Sequence, residues 1–186
     1  MFVNVAYLVL LLIPLVMGLI FGMQRSIPFG KSLGFAVISG ITLLLCGMLG
    51  LLIVNLLYKL NDISYLAGVM LLLSSVVIFL KGKKSNTFIM SADSSTALNC
   101  FLANLGVGMN VLISVIGISL YAIGKNQSFK LHIYYLLLYG LFSIIFYLMG
   151  SILGKTLKSI KPIKIILKTC GILLFLLGII VIFVIK

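Results

Sequence analysis

The feature that most constrains this chain is a succession of six apolar runs separated by short polar breaks. None of these runs contains Asp or Glu, and each has about the length that crosses the hydrocarbon core of a bilayer. The chain is 63% hydrophobic and 9% charged, whereas soluble domains are about half apolar and about a quarter charged. We therefore predict an all-α integral membrane protein with six transmembrane helices, at roughly 5–23, 33–57, 64–80, 97–123, 131–154 and 163–185.

The first apolar run is expected to be a retained membrane helix. The opening stretch MFVNVAYLVLLLIPLV has no Lys or Arg, so it lacks the basic segment that begins a cleavable signal peptide. Six helices also leave little of the 186 residues for a soluble domain. The sequence thus predicts a single membrane domain covering residues 1–186.

Basic residues outnumber acidic ones, and their positions predict how the chain is oriented. There are 14 Lys and Arg against two acidic residues, Asp62 and Asp93, and the net charge is +12. Since the basic residues lie beside apolar runs, we expect them to contact anionic lipid headgroups in the bilayer, with no role in binding nucleic acid. One side holds Arg25, Lys31, Lys81, Lys83, Lys84, Lys155, Lys158, Lys161, Lys164 and Lys168; the other side holds Lys59, Lys125, Lys130 and Lys186.

The richer side is expected to be cytoplasmic, because short loops that carry Lys and Arg stay in the cytoplasm. Both termini are then predicted to lie outside, with the connection at about 83–96 inside. The high Lys, Ile and Asn content is typical of an AT-rich bacterium, so the membrane is predicted to be a bacterial cytoplasmic membrane.

The second and fifth runs resemble each other at an offset of 100 residues, with Gly40 matching Gly140 and Gly50 matching Gly150. In the fifth run, small residues recur at a spacing of three and four, which places them on one helical face. Such faces allow helices to approach closely in a membrane. The predicted helix-packing residues are Gly40, Gly47, Gly50, Gly140, Ser143, Gly150 and Gly154.

Weaker matches extend the repeat to the other runs. The third and sixth runs match at an offset of 103, with Gly68 on Gly171, and Met17-Gly18 can be set against Met109-Asn110. Two halves of three helices each, about 1–82 and 97–186, would enter the membrane from opposite sides and form inverted repeats. The alternative is that glycine and leucine, common in membrane helices, align by chance.

The fourth run has the most polar face, and it carries the candidate substrate site. Asn99, Gly106 and Asn110 lie on this face with Ser114 beside them, and a buried amide needs hydrogen-bond partners. In the first run, Pro14 and Gly18 are expected to loosen the helix and expose carbonyls for a ligand. The predicted substrate-lining residues are Asn110, Asn99, Gly106, Ser114 and Gly18. Alternatively, Asn110 only bonds a neighbouring helix.

Enzymatic chemistry is poorly supported by the sequence, so we expect neither an enzyme nor a bound cofactor. Cys46, Cys100 and Cys170 lie far apart without a CxxC spacing, and we expect them to be packing residues. His132, at the edge of the fifth run, is expected to be interfacial. A divalent cation is considered only as a transported substrate.

Three stretches carry a family resemblance: GKSLGFAVISGITLLLCGMLG, YLAGVMLLLSSVVIFLKG and LYGLFSIIFYLMGSILGK, from the second, third and fifth runs. With the predicted 3+3 layout, the chain resembles the MntP-type manganese efflux pumps and the related YtaF sporulation membrane proteins, within the LysE-like exporter superfamily. The resemblance implies alternating access between two three-helix halves and export of manganese.

The residues depart from this family at its functional positions. The resemblance implies an ion-handling aspartate in the first and fourth spans, and the aligned positions here are Gly18 and Asn110. Mn²⁺ prefers carboxylate, carbonyl and water oxygens, so the missing carboxylates argue against a manganese site. A neutral site would suit an uncharged or zwitterionic solute.

Three functions follow as hypotheses. The first is a small-solute or cation transporter of the MntP and LysE type. The second is a transport-inactive membrane subunit that assembles with a partner protein, and a homodimer through the small-residue faces is also open. The third is the substrate-binding subunit of an energy-coupling-factor importer, which has a similar size and six spans.

Overall fold

Every regular element in the described part of this computed structural model is an α-helix, as the apolar periodicity predicted. The structure describes residues 2–23, 28–57, 63–83, 97–125, 128–157 and 161–183, and no strand occurs among them. The helices are α1 Phe2–Leu10, α2 Leu12–Met23, α3 Phe29–Leu57, α4 Ile63–Lys83, α5 Ala97–Gly124, α6 Phe129–Gly154 and α7 Lys161–Phe183.

The first predicted span is interrupted at Leu11, which separates α1 from α2. The interruption lies within one turn of Pro14, whose missing N–H leaves the carbonyl of Leu10 without its usual helical donor. The amide of Leu11 is shared between the carbonyls of Tyr7 and Leu8, both at 3.2 Å. The expected loosening of the first span is therefore present, and proline is its cause.

Five segments are long and apolar enough to cross a membrane among the residues that the structure describes. They are Phe2–Met23, Phe29–Leu57, Val107–Gly124, Lys130–Gly154 and Lys161–Phe183. The apolar part of α4, Tyr65–Leu80, is shorter. Large apolar side chains also cover the outer surface, for example Leu56 and Leu141, which are 79% and 63% exposed. An all-helical bundle with an apolar exterior is compatible with a membrane-embedded protein.

The bundle core is built from a few closely packed helix pairs. The most extensive contacts join α2 to α6, α4 to α7, and α3 to α5, followed by α4 with α5 and α3 with α6. One continuous apolar cluster, which includes Leu10, Leu43, Leu71 and Leu136, links these pairs. The buried polar side chains of the bundle lie in the interior between these pairs.

The α2–α6 pair is a contact of backbone on backbone, which we call the glycine contact. A Cβ on Gly18 would overlap the carbonyl oxygen of Tyr147, and one on Gly150 would overlap that of Leu15. Gly22 and Gly154 meet carbonyls of the opposite helix in the same way, one turn further along. The two helices therefore run parallel and touch without side chains between them, as small residues allow in membranes.

The other predicted packing glycines lie along α3 and its neighbours. Gly40 faces the side chain of Ile144, and Gly140 faces that of Leu44, so α3 and α6 run antiparallel. Gly47 lies against Leu136 of α6, and Gly50 lies against the carbonyl of Leu112 in α5. Ser143 is buried and donates a hydrogen bond to the carbonyl of Gly140 at 2.8 Å.

Candidate functional site

The interruption of the first span creates the first polar group of the interior. The Tyr139 hydroxyl lies 3.5 Å from the carbonyl oxygen of Leu10, the carbonyl that Pro14 leaves without a helical donor. The thiol of Cys170 lies 3.6 Å from the carbonyl oxygen of Val9. We call this group, with Tyr7, the proline-break site. Two distant helices thus supply donors to carbonyls that the broken helix exposes.

Aromatic rings and thiols surround the proline-break site. The ring of Tyr7 lies 5.9 Å from that of Tyr135 and 6.1 Å from that of Tyr139, measured between centroids. The thiols of Cys46 and Cys170 also belong to the interior. Both thiols are buried and form no disulfide, as expected of packing residues. The side chain of Cys100 is not among those that the structure describes.

The second polar group lies between α4 and α5, and we call it the amide-serine cluster. The hydroxyls of Ser74 and Ser114 are 2.5 Å apart, and the Ser74 hydroxyl lies 3.4 Å from the backbone carbonyl of Asn110. All three residues are buried, Asn110 with only 3% of its surface exposed. The side-chain oxygen of Asn110 has no hydrogen-bond partner. A buried acceptor in this condition costs about 1–3 kcal/mol until something donates to it.

The five predicted substrate-lining residues have different positions in the fold. Asn110 and Ser114 come together, one turn apart on α5, in the amide-serine cluster. Asn99 and Gly106 belong to α5, but their surroundings lie outside what the structure describes. Gly18 lies in the glycine contact, where any side chain would overlap the backbone of α6. Packing alone therefore accounts for glycine at position 18.

Sequence reasoning missed the partners that other helices bring to these groups. Ser74 lies in a predicted apolar span, and the adjacent pair Ser74 and Ser75 inside that span is a usable signal of a polar helix contact. Tyr139 and Cys170 showed no signal, because nothing in their local sequence indicates that they face the break near Pro14. Cross-helix hydrogen bonds depend on how helices are rotated, which local patterns do not specify.

His132 is the residue whose environment differs most from the prediction. We expected an interfacial side chain, but His132 is completely buried. Neither of its ring nitrogens has a hydrogen-bond partner. Lys130 and Leu131 beside it are exposed, so the face of the first turn of α6 that carries His132 is covered while the opposite face is not.

The described interior offers only uncharged groups to a ligand: hydroxyls, thiols, an amide, an imidazole and backbone carbonyls. No group of three metal-ligating side chains occurs within the described segments. Both acidic residues, Asp62 and Asp93, fall outside those segments. Comparison with known proteins identifies no relative, since no family model, curated protein or solved structure matches the chain.

Proposed function

We propose that this chain is a six-span transporter of a small uncharged or zwitterionic solute, working by alternating access between two inverted three-helix repeats. The observation that carries the proposal is the proline-break site, where a membrane-spanning helix is interrupted inside the bundle and its carbonyls face side chains of distant helices. In transporters of this architecture, broken helices near the midplane hold the solute. The layout resembles the MntP and LysE type.

The pattern of helix packing supports the repeat. If α1–α2 corresponds to α5, α3 to α6 and α4 to α7, then exchanging the halves converts the α2–α6 pair into α5–α3. Both pairs are among the most extensive of the bundle. The exchange also converts α4–α5 into a pairing of α7 with α1–α2, which is present but smaller. The α3–α6 and α4–α7 pairs map onto themselves, as a two-fold axis between the halves requires.

Reciprocal glycine contacts support the repeat and its register. Gly40 faces residue 144 while Gly140 faces residue 44, in agreement with the offset of 100. For the third and sixth spans, a Cβ on Gly68 would lie 3.0 Å from the carbonyl of Gly178, and one on Gly178 would lie 3.1 Å from that of Gly68. Gly68 also faces the side chain of Ile182, and Gly171 faces that of Phe79, in agreement with the offset of 103 taken from the sequence.

The distribution of charge supports the proposed orientation. Ser32 of α3 and Ser151 of α6 share a hydrogen bond of 2.6 Å, so the start of α3 and the end of α6 lie at one end of the bundle. We propose that this end is cytoplasmic, because short basic loops stay inside. Both termini would then be outside. The basic residues described at or near this end are Lys31, Lys155, Lys161, Lys164 and Lys168.

The chemistry of the interior supports an uncharged or zwitterionic solute over Mn²⁺. Asn110 and Tyr139 supply an amide and a hydroxyl, and the break near Pro14 supplies carbonyls. Mn²⁺ prefers sites that include carboxylates. At Gly18, where the family resemblance implies an aspartate, the glycine contact has no room for one.

The proposal is tested by uptake into proteoliposomes that contain the purified chain. The probes are radiolabelled zwitterionic amino acids, an uncharged polyol and Mn²⁺, each measured for exchange against unlabelled solute. We expect saturable exchange of a neutral or zwitterionic probe. Asn110→Leu should reduce it at least about tenfold, since a lost buried hydrogen bond to the solute is worth about 1–3 kcal/mol. Leu105→Ala, at an exposed position of α5, is the matched control and should retain exchange.

Two outcomes would contradict the proposal. If a folded Asn110→Leu variant exchanged every probe as fast as the native chain does, the amide-serine cluster would not line the transport path. Absence of exchange, together with a membrane protein that co-purifies in fixed proportion, would favour the transport-inactive subunit. If that partner carried an ATPase module, the importer subunit would be favoured instead.

A further inference from the structure

A third polar group lies near the N-terminal end of the bundle, and it shares only Tyr7 with the proline-break site. His132, Ser119 and Tyr7 are buried, the first two completely. Both ring nitrogens of His132 and both hydroxyls lack a hydrogen-bond partner. Each such group costs about 1–3 kcal/mol when it stays unpaired, so a hydrogen-bond partner gained in another protonation state would stabilise it.

Contacts with α3 and α6 place these three side chains at the same end of the bundle. Leu136, one turn after His132, lies against Gly47, and Val115, one turn before Ser119, lies against Gly50. His132 and Ser119 therefore both lie beside the last turns of α3.

Tyr7 joins the same group from α1. Its ring is stacked on that of Tyr135, which follows His132 by three residues on the same face of α6. Its hydroxyl approaches that of Ser119 without completing a hydrogen bond. The imidazole, from α6, and the two hydroxyls, from α5 and α1, thus face the same end of the core.

We propose that His132 is the site at which the bundle binds and releases a proton, the coupling ion of the transport proposed above. A proton from water at the N-terminal end would bind the unprotonated ring nitrogen. Both N–H groups of the resulting imidazolium would donate hydrogen bonds, and the hydroxyl oxygens of Ser119 and Tyr7, at the same end of the bundle, would accept them. An ionisable residue inside a membrane bundle is the usual mark of such a relay.

Among the residue types described at this end, histidine is the one whose side chain ordinarily changes charge nearest to neutral pH. The last two turns of α3 contribute no titratable side chain, and the lysines nearby are exposed. Tyrosine and lysine titrate near pH 10, whereas histidine titrates between about pH 5 and 8. The titratable or charged side chains described at this end are Tyr7, Tyr65, Tyr121, Lys125, Lys130, Tyr134 and Tyr135.

The hydroxyls also give a direction in which a proton would act. Tyr7 lies next to Tyr139, whose hydroxyl reaches the carbonyl of Leu10 in the proline-break site. Charging the imidazole would reorient the Tyr7 hydroxyl to accept a hydrogen bond, and the contact between the two rings would carry this change toward the break. His132 therefore acts on the proposed solute site as a positioning residue, without touching the solute.

The first test is the titration of His132 by nitrogen NMR in lipid nanodiscs, which requires no solute. The chain has one histidine, so its signals need no assignment. We expect reversible conversion from imidazole to imidazolium as the pH is lowered, within the range in which the chain stays folded. Neutral imidazole signals at every pH at which the chain stays folded would overturn the proposal and would leave ordered water as the partner of these groups.

Two serine variants sharpen this test. Ser119→Ala removes one acceptor of the imidazolium, so conversion should require a lower pH by about one unit. Ser75→Ala removes a hydroxyl that is equally buried and equally unpartnered, but on α4. This variant should titrate like the native chain. Equal midpoints in the Ser119→Ala and Ser75→Ala chains would contradict the assigned partners.

The second test measures coupling, and it rests on the proposed function. For a probe that the native chain exchanges, an imposed proton gradient should accelerate net uptake several-fold. His132→Gln should abolish the acceleration while exchange without a gradient persists. Acceleration that survives in the folded variant would overturn the role of His132 in coupling. Failure of all probes would count against transport only, since the NMR titration still decides whether His132 binds a proton.

Discussion

The glycine contact and the amide-serine cluster are two helix interfaces of one bundle that are held by different physics. In the first, the backbones of α2 and α6 touch directly at Gly18 and Gly150. In the second, polar side chains lie between α4 and α5, and Ser74 and Ser114 bond across the gap. Close packing leaves no room for a ligand, whereas the polar interface retains an unpaired acceptor. The comparison indicates where chemistry is possible in this molecule.

The largest effect is expected from placing a side chain into the glycine contact. Gly18→Val should destabilise the bundle by at least about 3 kcal/mol, because its Cβ overlaps the backbone of α6 and no rotamer relieves that. The measurement is the yield of monodisperse protein and its midpoint of thermal unfolding in detergent. Gly34→Ala is the control: nothing lies near Gly34, so the alanine should be neutral or slightly stabilising. A well-folded Gly18→Val chain would show that α2 and α6 are not in contact.

An intermediate effect is expected at the proline-break site. Tyr139→Phe removes the donor to the carbonyl of Leu10 and should cost about 1 kcal/mol, measured as a lower midpoint of thermal unfolding. Tyr134→Phe, at a position 58% exposed on the same helix, should change the midpoint little. Equal midpoints for the two variants would mean that the exposed carbonyl does not depend on Tyr139.

The smallest effects are expected from two adjacent serines of α4, and they differ in sign. Ser74→Ala breaks the hydrogen bond to Ser114 and should cost about 0.6 kcal/mol, a typical value between membrane helices. Ser75→Ala removes a buried hydroxyl without a partner and should be neutral or stabilising. Unfolding midpoints of the two variants, measured side by side, decide this. A greater loss of stability in Ser75→Ala than in Ser74→Ala would indicate that α4 is rotated differently from the structure described here.

Much of the fold was predictable because backbone hydrogen bonding in hydrocarbon permits little besides helices. The apolar runs predicted the helices within a few residues, and α7 begins at Lys161, with Pro162 in its first turn. The interruption near Pro14 was also predictable, since proline removes a fixed donor. About half of the candidate site followed in the same way: the polar face of α5 pointed to Asn110 and Ser114, but not to Ser74 or Tyr139.

The sequence by itself determined that this chain forms apolar helices, where one of them breaks, and which faces are small enough for close contact. Only the tertiary structure decided which faces meet: that Gly18 packs against α6, that Gly68 meets Gly178, and that His132 is buried. The physical reason is that lipid and protein interior are equally apolar, so hydrophobic periodicity does not orient a membrane helix. Rotation and depth are set by packing between helices distant in sequence, and those contacts create the polar groups on which the proposed function rests.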